Sequence, residues 1–242
     1  MTGFKGSRKS LKNYFLWREE RAAPALNAVE KTLKLKGARI LDVGCGYGSL
    51  MRAASDRGAQ VWGVETDQRK LTLARKLLKT IPSSNIKLVR DENLPFRDGF
   101  FDAVFLFDVI EHVKNPKISI DEAFRVLKPG GILYVEFTPY YSIAGHHLYD
   151  FFKLPLHLFL SQEAIKRIVF GKNVNSFITH QQYWDQYLSL NKLRISDFQS
   201  MTSKFHKIRE RFIIKYPGLF EINIPYLIDF LTMSFEGLYR KG

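Results

Sequence analysis

The chain is poor in cysteine: among 242 residues there is one, Cys45. That excludes an internal disulfide framework, a Cys-rich zinc site and an iron–sulfur cluster, and it fits a reducing compartment. Long apolar runs are also missing. None reaches the roughly 18 residues of a membrane span, and the nearest approach, 219–235, holds Glu221, Asn223 and Asp229. The start, 1–10, is basic and polar with no apolar stretch behind it, so no signal peptide is expected. Acidic residues are scarce beside basic ones, 24 against 37, a net charge of +13. The excess is +6 in residues 1–38 and +5 in 140–242, but only +2 in 39–139. Basic flanks suit an anionic substrate, a nucleic acid or an acidic membrane surface, or they are simply solvated.

A hydrophobic content of 45% supports a sizeable core. The pattern from residue 38 alternates short apolar runs with amphipathic ones. It predicts strands at about 38–43, 60–65, 86–89, 101–107 and 131–137, and helices at about 48–58, 67–80 and 115–127. Strands alternating with helices mean βαβ units with helices on both faces of a sheet. Ahead of them, 10–36 reads as a helix that Pro24 is expected to break in two. After Pro139 the chain is aromatic and irregular. Ser161 should cap a helix to about Phe170, and 181–203 reads as another helix. A strand at 206–216, a helix at 218–231 and a strand at 233–240 would extend the sheet. The expected organisation is one domain: a helical cap at 1–37, a core at 38–139, a helical, aromatic insertion at 140–205 and a strand–helix–strand at 206–242.

The most informative run is Asp42-Val43-Gly44-Cys45-Gly46-Tyr47-Gly48. A strand ends there in glycines at every second position, and a helix follows. Such a turn lets a ligand approach the backbone and the free N–H groups of a helix start. The spacing differs from the G-x-G-x-x-G of dinucleotide sites, and Asp42 stands in the strand where a dehydrogenase usually has an apolar residue. Its carboxylate could meet a positively charged or amine-bearing ligand. Glu65 ends the second strand about 20 residues on, where a carboxylate can accept two ribose hydroxyls. Asp67 is expected to cap the next helix.

These residues, with Gly63-Val64-Glu65, Glu92-Asn93-Leu94-Pro95-Phe96, Phe101-Asp102-Ala103-Val104, Glu111-His112-Val113 and 125–131 (Arg-Val-Leu-Lys-Pro-Gly-Gly), resemble the class I S-adenosylmethionine-dependent methyltransferases. The nearest group is the small-molecule branch of ubiquinone-pathway type, methyltransferase type 11. The resemblance covers about 38–140, in order. It implies a Rossmann-like, doubly wound α/β fold: a mostly parallel seven-stranded sheet, helices on both faces and a helical insertion after the fifth strand. It implies S-adenosyl-L-methionine as cofactor and S-adenosyl-L-homocysteine as product, held by Asp42, Gly44, Cys45, Gly46, Glu65, Thr66, Asp91, Glu92, Asn93, Asp108 and Val109. The family often has an Asp where Arg90 stands, so the adenine contact stays open between Asp91 and Glu92.

Methyl transfer needs a positioned, desolvated nucleophile, and a hydroxyl nucleophile is helped by a base. His146 and His147 are the candidate bases, while His112 begins a helix and is the weaker one. Tyr140, Tyr141, His157, Tyr183 and Trp184 are the candidate substrate wall, with Tyr149, Phe151, Phe152, Phe159 and Tyr187 in the same aromatic region. Tyr14 and Trp17 could close over the cofactor. Thr138-Pro139-Tyr140-Tyr141 has the look of an amino-nucleobase motif, but it follows the fifth strand rather than the fourth. A cysteine nucleophile is not expected, since Cys45 lies in the glycine turn. The expected acceptor is a small organic molecule methylated at oxygen, anionic or lipid-like in character. An RNA acceptor is the alternative, resting on the basic flanks alone, and an inactive scaffold is a third reading. No metal and no DNA partner are assigned. The expected location is the cytoplasm, with peripheral contact to the inner face of a membrane as a variant. The oligomeric state is open.

Overall fold

The computed structural model describes residues 7–214 and 227–242. The first strand, β1 (Arg39–Val43), lies third in one seven-stranded sheet in the order β3-β2-β1-β4-β5-β7-β6. The others are β2 (Gln60–Glu65), β3 (Ile86–Leu88), β4 (Phe101–Phe107), β5 (Leu127–Phe137), β6 (Phe205–Ile214) and β7 (Thr232–Lys241). The pairings from β3 through β5 are parallel. β7 runs antiparallel to both β5 and β6, so the sheet is mixed. The two late strands do extend the sheet at one edge.

Strand residues alternate between two apolar clusters, as a period of two requires. On β4, Ala103, Phe105 and Phe107 face one cluster with α1 (Leu11–Glu30), α2 (Ser49–Asp56) and α3 (Gln68–Leu77). Val104 and Leu106 face the other, with α4 (Pro116–Val126) and α7 (Ile195–Met201). Helices therefore cover both faces, a Rossmann-like α/β arrangement that gathers loops at the carboxyl ends of the parallel strands. A third, smaller cluster joins Leu148, Phe151, Ile165, Val169, Tyr183, Trp184 and Tyr187. It includes α5 (Gln162–Gly171) and α6 (His180–Leu188), which lie between β5 and β6 in the chain.

Two helical expectations are corrected. Pro24 does not break α1, which runs unbroken from Leu11 to Glu30. Glu20, whose carbonyl loses its partner to Pro24, is exposed to water. Ala22, Ala25, Leu26, Ala28 and Val29 are all buried against the core, and this packing outweighs a missing bond worth about 3 kcal/mol. The stretch 181–203 is not one helix but α6 and α7, parted at Asn191. There the side-chain amide donates to the Ile110 carbonyl at 2.8 Å and the Val113 carbonyl at 2.9 Å, and the Asn191 N–H donates to the Glu111 carbonyl at 2.8 Å. The break ties this segment to the loop after β4. The caps expected of Asp67 and Ser161 are present: Asp67 accepts from the Arg69 and Lys70 amides, Ser161 from the Ala164 amide. The helix expected at 218–231 lies partly outside the described residues; its last part is α8 (Leu227–Leu231).

Candidate functional site

The glycine turn follows β1. Gly44 (φ 66°) and Gly46 (φ 57°) adopt left-handed backbone, which costs any other residue about 1–2 kcal/mol. At Gly44 a Cβ would lie 2.5 Å from Val109 Cγ2, so the turn packs directly on the loop after β4. A Cβ on Gly46 would meet nothing within 4 Å, so that backbone faces open space. Cys45 is buried and its N–H donates to the Val64 carbonyl at 2.9 Å. Burial, with the Asp42 and Glu65 charges, pushes its thiol well up, so it is inert.

The carboxylate of Glu65 closes the turn. It accepts from the Gly46 amide at 2.8 Å, the Thr66 amide at 2.8 Å and the Asp67 amide at 3.0 Å. Asp42 lies in β1 between Gly63 of β2 and Phe105 of β4 and is 4% exposed. Burial, opposed by Arg18 and reinforced by Glu65, lifts its carboxyl to about 7. A buried carboxyl in that state favours a cationic ligand, whose charge would let it ionise.

The third part of the ring is the β4 end. Asp108 has φ 57° and donates its N–H to the Glu136 carbonyl at 2.8 Å. With His147 (φ 55°) it is one of two non-glycine residues in the left-handed region among the described residues; such strain concentrates at functional sites. Helix α1 closes on it. Arg18 pairs with Asp108, and Arg21 donates to Asp108 Oδ2 at 2.6 Å and to Glu136 Oε1 at 2.6 Å. Burial pushes the Asp108 carboxyl up, but Arg21 and Arg18 outweigh it and hold it well below the usual range. Tyr14 of α1 meets the ring of Tyr47, inside the turn, at 5.9 Å, and that of Phe177 at 5.7 Å. Trp17 packs on Tyr14.

The acidic segment beyond β3 divides. Asp91 is exposed and accepts from the Asn93 amide at 3.0 Å. Glu92 accepts from the Lys114 and Asn115 amides at 2.8 and 3.1 Å, bracing the start of α4. The Asn93 side-chain amide also donates to Asp91, at 3.1 Å, so each carboxylate accepts two bonds on one oxygen.

After β5, Tyr140 stacks edge-on against Tyr141 and His157, and the His157 Nε2–H donates to the Tyr140 carbonyl at 2.8 Å. Arg194 lies over Tyr141 at 3.9 Å. Tyr183 and Trp184 fall instead in the core of the helical segment: Tyr183 is fully buried with its hydroxyl donating to Asp150, and Trp184 stacks on Tyr187. His146 is fully buried, and its Nδ1 accepts from the Leu148 amide at 2.9 Å. It therefore offers a donor in this fold, not the lone pair expected of a base. His147 lies 5.1 Å from His112, ring to ring, and 3.9 Å from Glu111 Oε1.

Glu111, His112 and His147 present ligand atoms within 4.8 Å of one another, a spacing that could hold a metal ion. Both Glu111 oxygens are buried without a hydrogen-bond partner. Burial and Asp108 raise Glu111 well above the ordinary carboxylate range, and burial lowers His112 to about 4. This cluster and the α1 arginines were missed in the sequence. Two arginines three apart put both on one helix face, and an acid, Glu136, inside the apolar strand β5 was a readable sign of a buried partner.

Residues 41–135 match the family model of a methyltransferase domain. The ubiquinone biosynthesis O-methyltransferase of Dechloromonas aromatica is 36% identical over 109 residues, 44% of this chain and 47% of that protein. The enzyme of the same name from Leptothrix cholodnii is 34% identical over 116 residues, 46% and 48% of the two chains. The chain thus spans about half the length of these curated relatives. Among solved structures, the PH0226 protein of Pyrococcus horikoshii aligns with TM-score 0.59 at 21% identity over 93% of this chain and 91% of that one. A methyltransferase from Thermotoga maritima aligns with TM-score 0.57 at 20% identity over 98% of both. At such identities the structures share the fold.

Proposed function

We propose that the chain is a class I S-adenosylmethionine-dependent methyltransferase and that it methylates a hydroxyl group of a small organic molecule. The observation that carries the cofactor half is the turn at Gly44–Gly48. Gly46 opens on free space beside two buried carboxyls, Asp42 and Glu65. S-adenosylmethionine, when bound, supplies an electrophilic methyl group on a sulfonium. The residues of the ring fit that molecule. Asp42 offers a counter-charge to its amino end, and Glu65 accepts its ribose hydroxyls. Asp91, Glu92 and Asn93 flank its adenine. Gly44, Cys45, Gly46 and Thr66 contribute backbone, with Asp108 and Val109 at the methyl end. α1 excludes water through Tyr14 and Trp17 and is locked to the β4 end by Arg18 and Arg21.

The acceptor half rests on the aromatic segment after β5 and on the relatives, which are named for O-methylation in ubiquinone biosynthesis. A small acceptor approaches from the side of Tyr140, Tyr141 and His157. An anionic or lipid-like acceptor would suit the basic surface, and a cytoplasmic location with peripheral membrane contact would suit both. No helix among the described residues is long and apolar enough to cross a membrane.

Calorimetry with S-adenosylhomocysteine tests the reading. Micromolar binding is expected; a folded protein that binds none would overturn it. Glu65→Ala should weaken binding at least tenfold and also lower stability, because it strands three backbone amides at about 1–3 kcal/mol each if they stay buried. A variant that binds as tightly as the parent removes Glu65 from the ribose role.

A further inference from the structure

Two buried ring nitrogens in the segment after β5 lack partners, and they are of opposite kinds. His146 is fully buried; its Nδ1 is occupied as the acceptor of the Leu148 N–H, which leaves the proton on Nε2. That Nε2 has no hydrogen-bond partner. His157 is 6% exposed; its Nε2 carries the proton donated to the Tyr140 carbonyl, which leaves Nδ1 a bare acceptor. That Nδ1 has no hydrogen-bond partner either. The backbone thus fixes both tautomers, and it leaves one buried donor and one buried acceptor on rings whose centroids are 5.3 Å apart.

Leaving buried polar atoms unmatched is unfavourable. The pair does not satisfy itself. One hydroxyl matches the pair in kind, because its oxygen accepts from a donor and its proton goes to an acceptor. The surroundings select what carries the hydroxyl. Phe152 and Tyr149 lie 4.5 and 4.7 Å from the His146 ring, and Tyr140 lies 5.3 Å from the His157 ring. The adjacent His147 meets His112, three residues beyond the Val109 that packs on the glycine turn. The pair is thereby linked to the cofactor end of the sheet.

We propose that His146 and His157 form a subsite for one hydroxyl of an aromatic acceptor, His146 donating to its oxygen and His157 accepting its proton in a hydrogen bond. The proposal rests on the methyltransferase reading only in identifying this hydroxyl as the acceptor's. Both residues are positioning residues here, and the ligand class is a phenol.

The test compares phenol with anisole, which has the same ring and an oxygen that accepts but cannot donate. Each is titrated into the whole protein held with S-adenosylhomocysteine, followed by calorimetry and by the imidazole nitrogen resonances. Phenol should bind about tenfold tighter than anisole in the parent, the worth of one hydrogen bond, and should shift the His157 Nδ1 resonance. His157→Phe should bring phenol down to the level of anisole while anisole is unchanged. His157→Asn, which keeps an acceptor near Nδ1, should restore part of the preference. Equal binding of phenol and anisole to the parent, or a preference that survives His157→Phe, overturns the proposal and assigns the pair a structural water. If His157→Phe does not fold, the parent's phenol–anisole ratio and the His157 resonance still decide. Failure of S-adenosylhomocysteine to bind would remove the methyltransferase reading, and the same ratio measured without it would still judge the subsite.

Discussion

Asp42 is an acid built into the interior of a sheet, and its ionisation should be readable in cofactor binding. Its carboxyl is lifted to about 7 by burial, with Arg18 opposing and Glu65 adding to the rise. A ligand that brings positive charge favours the ionised form, so binding below that value must expel a proton. Affinity for S-adenosylhomocysteine should therefore rise from pH 6 to about pH 7 and level off above it. Calorimetry in buffers of different ionisation enthalpy would register the released proton. Asp42→Asn should flatten the profile and weaken binding about tenfold; a profile unchanged in that variant assigns the dependence elsewhere. Gly44 tests the same turn sterically. Gly44→Ala places a methyl 2.5 Å from Val109 Cγ2 on a left-handed backbone, at about 1–2 kcal/mol for the backbone and about 1–3 kcal/mol for the overlap. Adding Val109→Ala should recover the overlap but not the backbone part, a difference that urea melts can resolve. These positions were readable because the spacing of glycines and acids in the sequence states a local geometry. The pairing of His146 with His157 was not, since each tautomer depends on a backbone group that only the folded segment brings near.

At the scale of elements, α1 is the piece that closes over the carboxyl ends of the inner strands. It reaches Tyr47 through Tyr14 and the β4 and β5 ends through Arg18 and Arg21. Its continuity through Pro24 makes an unusual prediction. Pro24 is exposed, so Pro24→Ala should restore the bond to the Glu20 carbonyl without disturbing the buried face. Stability should rise by about 1–2 kcal/mol in urea, the helical gain of about 3 kcal/mol less the entropy returned to the unfolded chain. A loss of stability would mean that the freed carbonyl has another partner. Arg21→Met should act the other way. It removes a guanidinium shared by Asp108 and Glu136, and a loss of about 1–3 kcal/mol is expected at pH 7, below the full value for a buried pair because the side chain is 29% exposed. The strands of the core were legible because each is a short, nearly continuous apolar run bounded by turn residues. The reversal of β7 was not, because an apolar run carries no direction and the 214–232 connection is long enough for either sense. The break between α6 and α7 was equally hidden. It is made by Asn191 reaching carbonyls about 80 residues away.

For the whole molecule, the question is which ligand its charge serves. The +13 excess lies mainly outside residues 39–139, and an RNA acceptor would draw on it. Thermal melts separate the two readings. A ligand bound to the native state alone stabilises by mass action, about 2.7 kcal/mol at a hundred times its Kd. In a chain of this size that is a rise in Tm of about 5–10 °C. S-adenosylhomocysteine should give this shift, and 50 to 200 mM salt should change it little, because the site proposed for it is enclosed by α1 and the turn rather than spread over the surface. Bulk RNA binding to the basic flanks should instead collapse across the same salt range, since each neutralised phosphate steepens the salt dependence. RNA binding that persists at 200 mM salt, and that strengthens when S-adenosylhomocysteine is present, would move the acceptor from a small molecule to a polynucleotide. If the two ligands act independently, the flanks are a surface property, and the acceptor must be sought at the carboxyl ends of β4 and β5, where Tyr140, Tyr141 and His157 stand.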